Sequence, residues 1–143
     1  MNRDKTLDYQ VRATWMTISK MYNIEAAKVN STMSAGFALL SIDPKDGTPA
    51  TALGPRMGIE STSLSRILKN LEAKNLITRE KSDIDKRSVI VKLTDEGLRM
   101  RDYSKAVVLL LDQKIRAQIP ESELAQLIKT LKKIQRIAEE IKH

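Results

Sequence analysis

Residues 58–97 read GIESTSLSRILKNLEAKNLITREKSDIDKRSVIVKLTDEG, and this stretch decides the fold. Leu64, Ile67, Leu68 and Leu71 fall at i, i+3, i+4 and i+7, so residues 61–74 are expected to form a helix with one buried stripe. Asn75 follows; asparagine tolerates positive φ and suits a left-handed stop. Residues 76–80 and 88–93 alternate as half-buried strands do, with Val89 and Val91 on one face, and residues 83–87 turn between them. Thr94 with Gly97 close behind reads as a strand running into the cap of a new helix.

The surface of this module is basic. Residues 58–92 hold Arg66, Lys69, Lys74, Arg79, Lys81, Lys86, Arg87 and Lys92 against Glu60, Glu72, Glu80, Asp83 and Asp85, a net charge of +3. Opposite the Leu/Ile stripe the helix carries Ser61, Thr62, Ser63, Ser65, Arg66, Lys69 and Asn70. Small hydroxyl residues let a helix start approach a polyanion closely, and free N–H groups there bind phosphate with help from the helix dipole. Arg66 and Lys69 are long enough to reach base edges, arginine favouring the N7/O6 pair of guanine. An ordinary solvated helix face is the plain alternative; the basic hairpin beside it favours DNA. In that hairpin Asp85, Lys86 and Arg87 admit a mechanism. Arg87 is expected in the minor groove, where negative potential is focused, with Asp85 holding the loop or the guanidinium. A type I turn with solvated charges is the competing reading, and it leaves the apolar Ile84 at the loop tip without an explanation. The order of elements is that of a winged helix-turn-helix: one helix for the major groove, one β-loop for the backbone or minor groove.

Outside this module the chain supplies helices. Leu7, Val11, Trp15, Ile18, Tyr22 and Val29 form one stripe over residues 3–29, and residues 34–42 read as a short buried helix. Residues 43–49, DPKDGTP, read as turns, and residues 51–58 as a helical piece weakened by Gly54 and Pro55. A helix is expected from Asp95 to about Ala117, a break at Pro120, and a last helix in which Leu124, Leu127, Leu131, Ile134, Ala138 and Ile141 form an a/d seam. A core helix in a monomer would also fit that seam. Two terminal helices with more apolar surface than a small domain absorbs favour burial against a second copy. The fold class expected is mainly α (α+β). A winged helix-turn-helix lobe spans residues 33–97, and a helical dimerisation lobe is built from residues 1–30 and 98–143.

Composition narrows the function. The chain has 143 residues, 41% apolar, and a formal charge of +7, which favours an anionic partner. There is no cysteine, so disulfides and thiol sensing are excluded, and the one histidine, His143, is terminal. No apolar run approaches ~18 residues and the N-terminus lacks a signal-peptide hydrophobic segment, so a soluble, cytoplasmic protein with no membrane partner is expected. No Gly-rich phosphate loop or nucleophile with a histidine base is present, and Asp83 and Asp85 lack further ligands in sequence. No cofactor, metal or catalysis is therefore expected. The alternative to a DNA reader is a protein-interaction adaptor, whose mark would be an apolar recognition face; Ser, Thr, Arg and Lys stand there instead.

The run LGPRMGIESTSLSRILKNLEAKNLITRE…SDIDKRSVIVKLTDEG resembles the MarR family of bacterial regulators. The family's D-x-R wing, L-T and following Gly fall on Asp85, Arg87, Leu93, Thr94 and Gly97, and its L-S-R-x-L-x-x-L-E helix on Leu64, Ser65, Arg66, Leu68, Leu71 and Glu72. The resemblance extends over essentially the whole chain. It implies a homodimer on a palindromic operator, most often a repressor, and a small aromatic or phenolic effector held between the dimer helices and the DNA-binding lobe. Trp15, Met33, Phe37 and Tyr103 are the candidates for that pocket, with core or interface packing as their other reading. Three departures stand out. Glu60 replaces a Ser cap, Gly54-Pro55 replaces better helix formers so that the preceding helix is expected to start late or be distorted, and Asn75 replaces Gly.

Overall fold

The computed structural model describes residues 2–85 and 87–141. A 3-10 turn, Arg3–Lys5, leads into α1 (Leu7–Ala27) and α2 (Met33–Ser41). There follow β1 (Thr48–Pro49), α3 (Ala50–Met57), α4 (Ser61–Ala73), β2 (Ile77–Lys81), β3 (Val89–Leu93), α5 (Asp95–Gln118) and α6 (Glu121–Glu140). This is the mainly helical, winged helix-turn-helix class that the sequence predicts. The chain divides into two compact units, Met1–Val107 and Val108–His143.

Helix starts follow from local chemistry. Thr6 Oγ accepts from the Tyr9 N–H at 3.2 Å to open α1, and Thr32 Oγ from the Ala35 N–H at 3.1 Å to open α2. The core of the first unit joins Ala38, Leu39 and Ile42 at the end of α2, Leu53 of α3, the α4 stripe Leu64, Leu68 and Leu71, and Leu76, Ile77 and Val91 of the wing base. Ile67, the fourth stripe residue, packs half-buried against them.

The sheet has one strand more than expected. Its order is β1-β3-β2, all antiparallel, with Ile77 opposite Leu93, Lys81 opposite Val89, and Thr48 opposite Val91. Residues 43–49 do turn, and the turn then returns the chain along β3. Asp43 Oδ1 accepts from the N–H groups of Lys45 and Asp46 at 2.8 and 2.9 Å. Buried Thr48 accepts from the Asp43 N–H at 2.8 Å. The N–H groups of Asp46 and then Lys45 hold the Asp43 carboxyl below its ordinary range. A strand of two residues is too short to show a period, which is why the sequence conceals it.

The helix expected to start late does not. α3 begins at Ala50, directly after β1, and continues through Pro55 to Met57. Proline's fixed φ suits a helix; what it removes is the N–H that Thr51 would accept. The helix closes at Gly58, which sits at φ 65° and donates to the Pro55 carbonyl at 3.3 Å while Ile59 N–H returns to the Gly54 carbonyl at 3.1 Å.

One junction ties the exit of α4 to the start of α5. Asn75 takes φ 62°, the left-handed stop expected of it. Thr94 N–H donates to the Leu76 carbonyl at 3.1 Å and its hydroxyl to the Asn75 carbonyl at 2.7 Å. The same hydroxyl oxygen accepts from the Gly97 N–H at 3.0 Å, capping α5. The Leu76 carbonyl lies so close to Gly97 that a Cβ there would stand 1.9 Å from it.

The terminal helices keep apolar surface outside. No α1 residue is fully buried, and Leu7, Val11, Trp15, Met16 and Ile24 are exposed. In α6 Leu124 is buried, whereas Leu127 and Ile137 are 51% and 59% exposed. Ile141, the last seam position expected, lies one residue beyond the helix.

Gly97→Ala should cost roughly 3 kcal/mol or prevent folding, because the added methyl meets backbone that cannot yield. A urea titration followed by far-UV circular dichroism reads this as a large drop in midpoint; an unchanged midpoint would show that the junction relaxes freely.

Candidate nucleic-acid interface

α4 is divided as its sequence pattern requires. Leu64, Leu68 and Leu71 are buried, while Ser61, Thr62, Ser63, Ser65, Arg66, Lys69 and Asn70 are all exposed. Glu60 stands at the N-cap in extended backbone but makes no side-chain cap. The N–H groups of the first turn, on Ser61, Thr62 and Ser63, are therefore left without an intrahelical acceptor or a capping side chain. Together with three hydroxyls they form an end suited to an oxyanion.

The wing is a stapled loop. Its entry residue Ser82 donates its N–H to the Ser88 carbonyl at 2.9 Å, and the Ser88 N–H donates to the Asp85 carbonyl at 2.9 Å. Asp85 Oδ1 accepts from the Arg87 N–H at 3.0 Å and Oδ2 from the Ser88 hydroxyl at 3.3 Å. Asp85 thus holds the loop rather than a guanidinium. Arg87 is exposed and makes no ion pair among the described residues. Lys86 lies outside the described residues.

Three-dimensional pairing sorts the positive charges that the sequence only counts. Arg79 stands 3.8 Å from Glu72, and Lys92 is 3.0 Å from Glu80 across the hairpin. Lys74 donates to the Asn30 carbonyl at 3.1 Å. Arg66, Lys69, Lys81 and Arg87 make no ion pair among the described residues. Lys81, at the exposed end of β2, carries no distinguishing sequence pattern; what sets it apart is that Arg79 and Lys92 are paired while it makes no ion pair among the described residues.

The four effector-pocket candidates divide. Trp15 and Phe37 stack with ring centroids 6.2 Å apart and an interplanar angle of 20°. Phe37 also meets Tyr22, a residue of the α1 stripe, edge-on at 5.7 Å, so Tyr22 joins this cluster. Tyr103 instead spends its hydroxyl on the Glu25 carbonyl at 3.0 Å, and the Met33 N–H is taken by Asn23 Oδ1 at 3.0 Å. A cavity of about 190 Å³ opens where Thr32 and Ala35, Asn70 and Lys74, and Glu96 and Met100 converge; none of the four lines it. No group of three or more carboxylates or histidines able to hold a metal occurs among the described residues.

Residues 32–89, from the cap of α2 to the first residue of β3, match the model of the MarR family. The organic hydroperoxide resistance transcriptional regulator of Bacillus subtilis (strain 168) is 28% identical over 102 residues, 71% of this chain and 69% of that protein. Among solved structures, the S. aureus MepR–DNA complex superposes with a TM-score of 0.83 at 22% identity, covering 92% of this chain and 97% of that one. CouR from Rhodococcus jostii RHA1, bound to p-coumaroyl-CoA, superposes with a TM-score of 0.82 at 19% identity, covering 94% of each. No helix among the described residues is long and apolar enough to cross a membrane. The winged lobe of this chain is thus similar to the MarR family, and over nine-tenths of its length the chain has the fold of MepR and CouR.

Proposed function

We propose that this chain is a DNA-binding transcriptional regulator of the MarR type, a homodimeric repressor of a palindromic operator, with α4 in the major groove and the β2–β3 wing on the minor groove. The observation that carries this reading is the α4 face. Seven polar residues are exposed opposite a buried leucine stripe, and Arg66 and Lys69 among them make no ion pair among the described residues. Ser61, Thr62 and Ser63 take phosphate at the uncapped helix start. Arg66 and Lys69 reach base edges, with Ser65 and Asn70 beside them. Asp85 shapes the wing, Lys86 and Lys81 add charge, and Arg87 enters the minor groove.

Residues 1–30 and 98–143 form the dimerisation segments in this reading. Support comes from the apolar side chains left exposed on α1 and α6, which a lone small domain has no reason to display. A cytoplasmic location follows from the role. A small aromatic or phenolic effector binds beside the Trp15–Phe37 stack, with Met33 and Tyr103 as further candidates; CouR, of like fold, binds p-coumaroyl-CoA.

Three measurements test these parts. Sedimentation at micromolar concentration should give twice 16.1 kDa, and a 16.1 kDa particle would remove the dimer. On an operator selected from random DNA, Arg66→Ala should erase sequence preference at one position per half-site, a loss of about 1–3 kcal/mol. Arg87→Ala should weaken all duplexes alike and lower the salt slope by about one. The reverse pattern would exchange their roles. Trp15 is the chain's single tryptophan, so adding p-coumarate should change its emission while operator affinity falls roughly 5- to 150-fold. An unchanged emission and an unchanged affinity would rule out this effector class at this site.

A further inference from the structure

The wing presents a side chain that phosphate binding does not use. Ile84 is 99% exposed, above every other large apolar residue among those described. It is held there. The N–H groups of Ile84 and Asp85 both donate to Ser82 Oγ, at 3.2 and 3.3 Å, and Asp85 fastens the following turn through Arg87 and Ser88. The loop is closed by its polar residues, so the isoleucine contributes nothing to closing it. Solvated turns are ordinarily built from polar residues. Lys81 and Arg87, before and after Ile84 in the chain, are exposed cations without ion pairs among the described residues. An apolar tip between two free cations matches a polyanion with apolar walls, and duplex DNA offers that in its minor groove. Asp83 is also exposed, and it keeps residue 83 itself off the phosphates.

We propose that Ile84 enters the minor groove of the bound duplex, packs against the deoxyribose walls, and adds a preference for A·T pairs at the steps facing the wing. This rests on the wing reading given above. The chemistry is a matter of what the groove floor displays. A·T pairs show only acceptors, whereas G·C adds the guanine N2 amino group. An apolar side chain gives that donor no partner and takes it from water, which is costly. Narrow A·T-rich grooves also bring the sugar walls closer to the inserted side chain.

The test uses the full-length protein and an operator selected from random DNA, resynthesised with A·T, inosine·C or G·C pairs at the steps protected in the minor groove. Inosine·C keeps the major-groove face of G·C but lacks the N2 amino group. Wild type should bind the A·T and inosine·C duplexes alike and the G·C duplex about tenfold more weakly, the order of one lost hydrogen-bonding partner. Ile84→Ala should bind the A·T duplex about tenfold more weakly, the order of two methylene groups leaving apolar contact. The variant should also lose most of its discrimination against G·C, while its salt slope stays at the wild-type value because no phosphate contact is lost. Arg87→Ala runs beside it. If Ile84→Ala keeps wild-type affinity and discrimination while Arg87→Ala weakens binding, the proposal is wrong and the wing reading stands. If neither variant changes binding, both are wrong. A lowered salt slope in Ile84→Ala would place its effect on phosphates and overturn the minor-groove assignment. The side chain is almost wholly exposed, so folding should be unaffected by either substitution.

Discussion

The carbonyl of Leu76, pressed against the Cα of Gly97, is the contact on which the winged helix-turn-helix lobe turns. It accepts from Thr94 N–H, leaves no room for a Cβ at position 97, and sits one residue after the left-handed Asn75 that ends α4. The end of α4, the wing base and the start of α5 are therefore tied together through backbone contacts. Lys74, bonded to the Asn30 carbonyl, ties this junction to the turn after α1 as well. The Leu, Thr and Gly at positions 93, 94 and 97, where the chain resembles the MarR pattern, acquire a physical reason here. Leu93 packs against the core, Thr94 donates its hydroxyl proton to Asn75 while accepting from Gly97, and only glycine fits the last place.

Electrostatics in this lobe is a matter of which charges are already spent. Surface ion pairs such as Arg79–Glu72 and Lys92–Glu80 contribute little to stability. They matter by removing two cations from the set free to meet an anionic partner. Counting basic residues treats all eight as equal; the fold leaves Arg66, Lys69, Lys81 and Arg87 outward and without ion pairs among the described residues. Asp85 is engaged too, by the Arg87 N–H and Ser88 hydroxyl of its own loop, so this acidic residue acts as a positioning group in the wing.

Much of this was legible in the sequence because it is local. The α4 stripe, the αL stop at Asn75, the cap at Thr94 and the two wing strands each depend on residues within a few positions of one another. What was hidden depends on distant partners. The strand Thr48–Pro49 exists only because Val91 lies opposite it, and the continuity of α3 through Pro55 is decided by its packing, which outweighs one lost hydrogen bond. In the same way Phe37 joins Trp15 to Tyr22 across two helices, a grouping that no spacing within α1 announces. The DNA-facing residues named from sequence were found exposed where described; that they bind DNA is a separate, chemical proposition.

The uncapped beginning of α4 has a thermodynamic consequence. A serine or aspartate ahead of Ser61 would have satisfied one of the helix's open donors within the protein. With Glu60 making no side-chain cap, those donors are left to solvent or to an external acceptor. In the proposed complex operator phosphates take the place of that cap, and the melting temperature of the lobe then rises as DNA supplies what the chain omits.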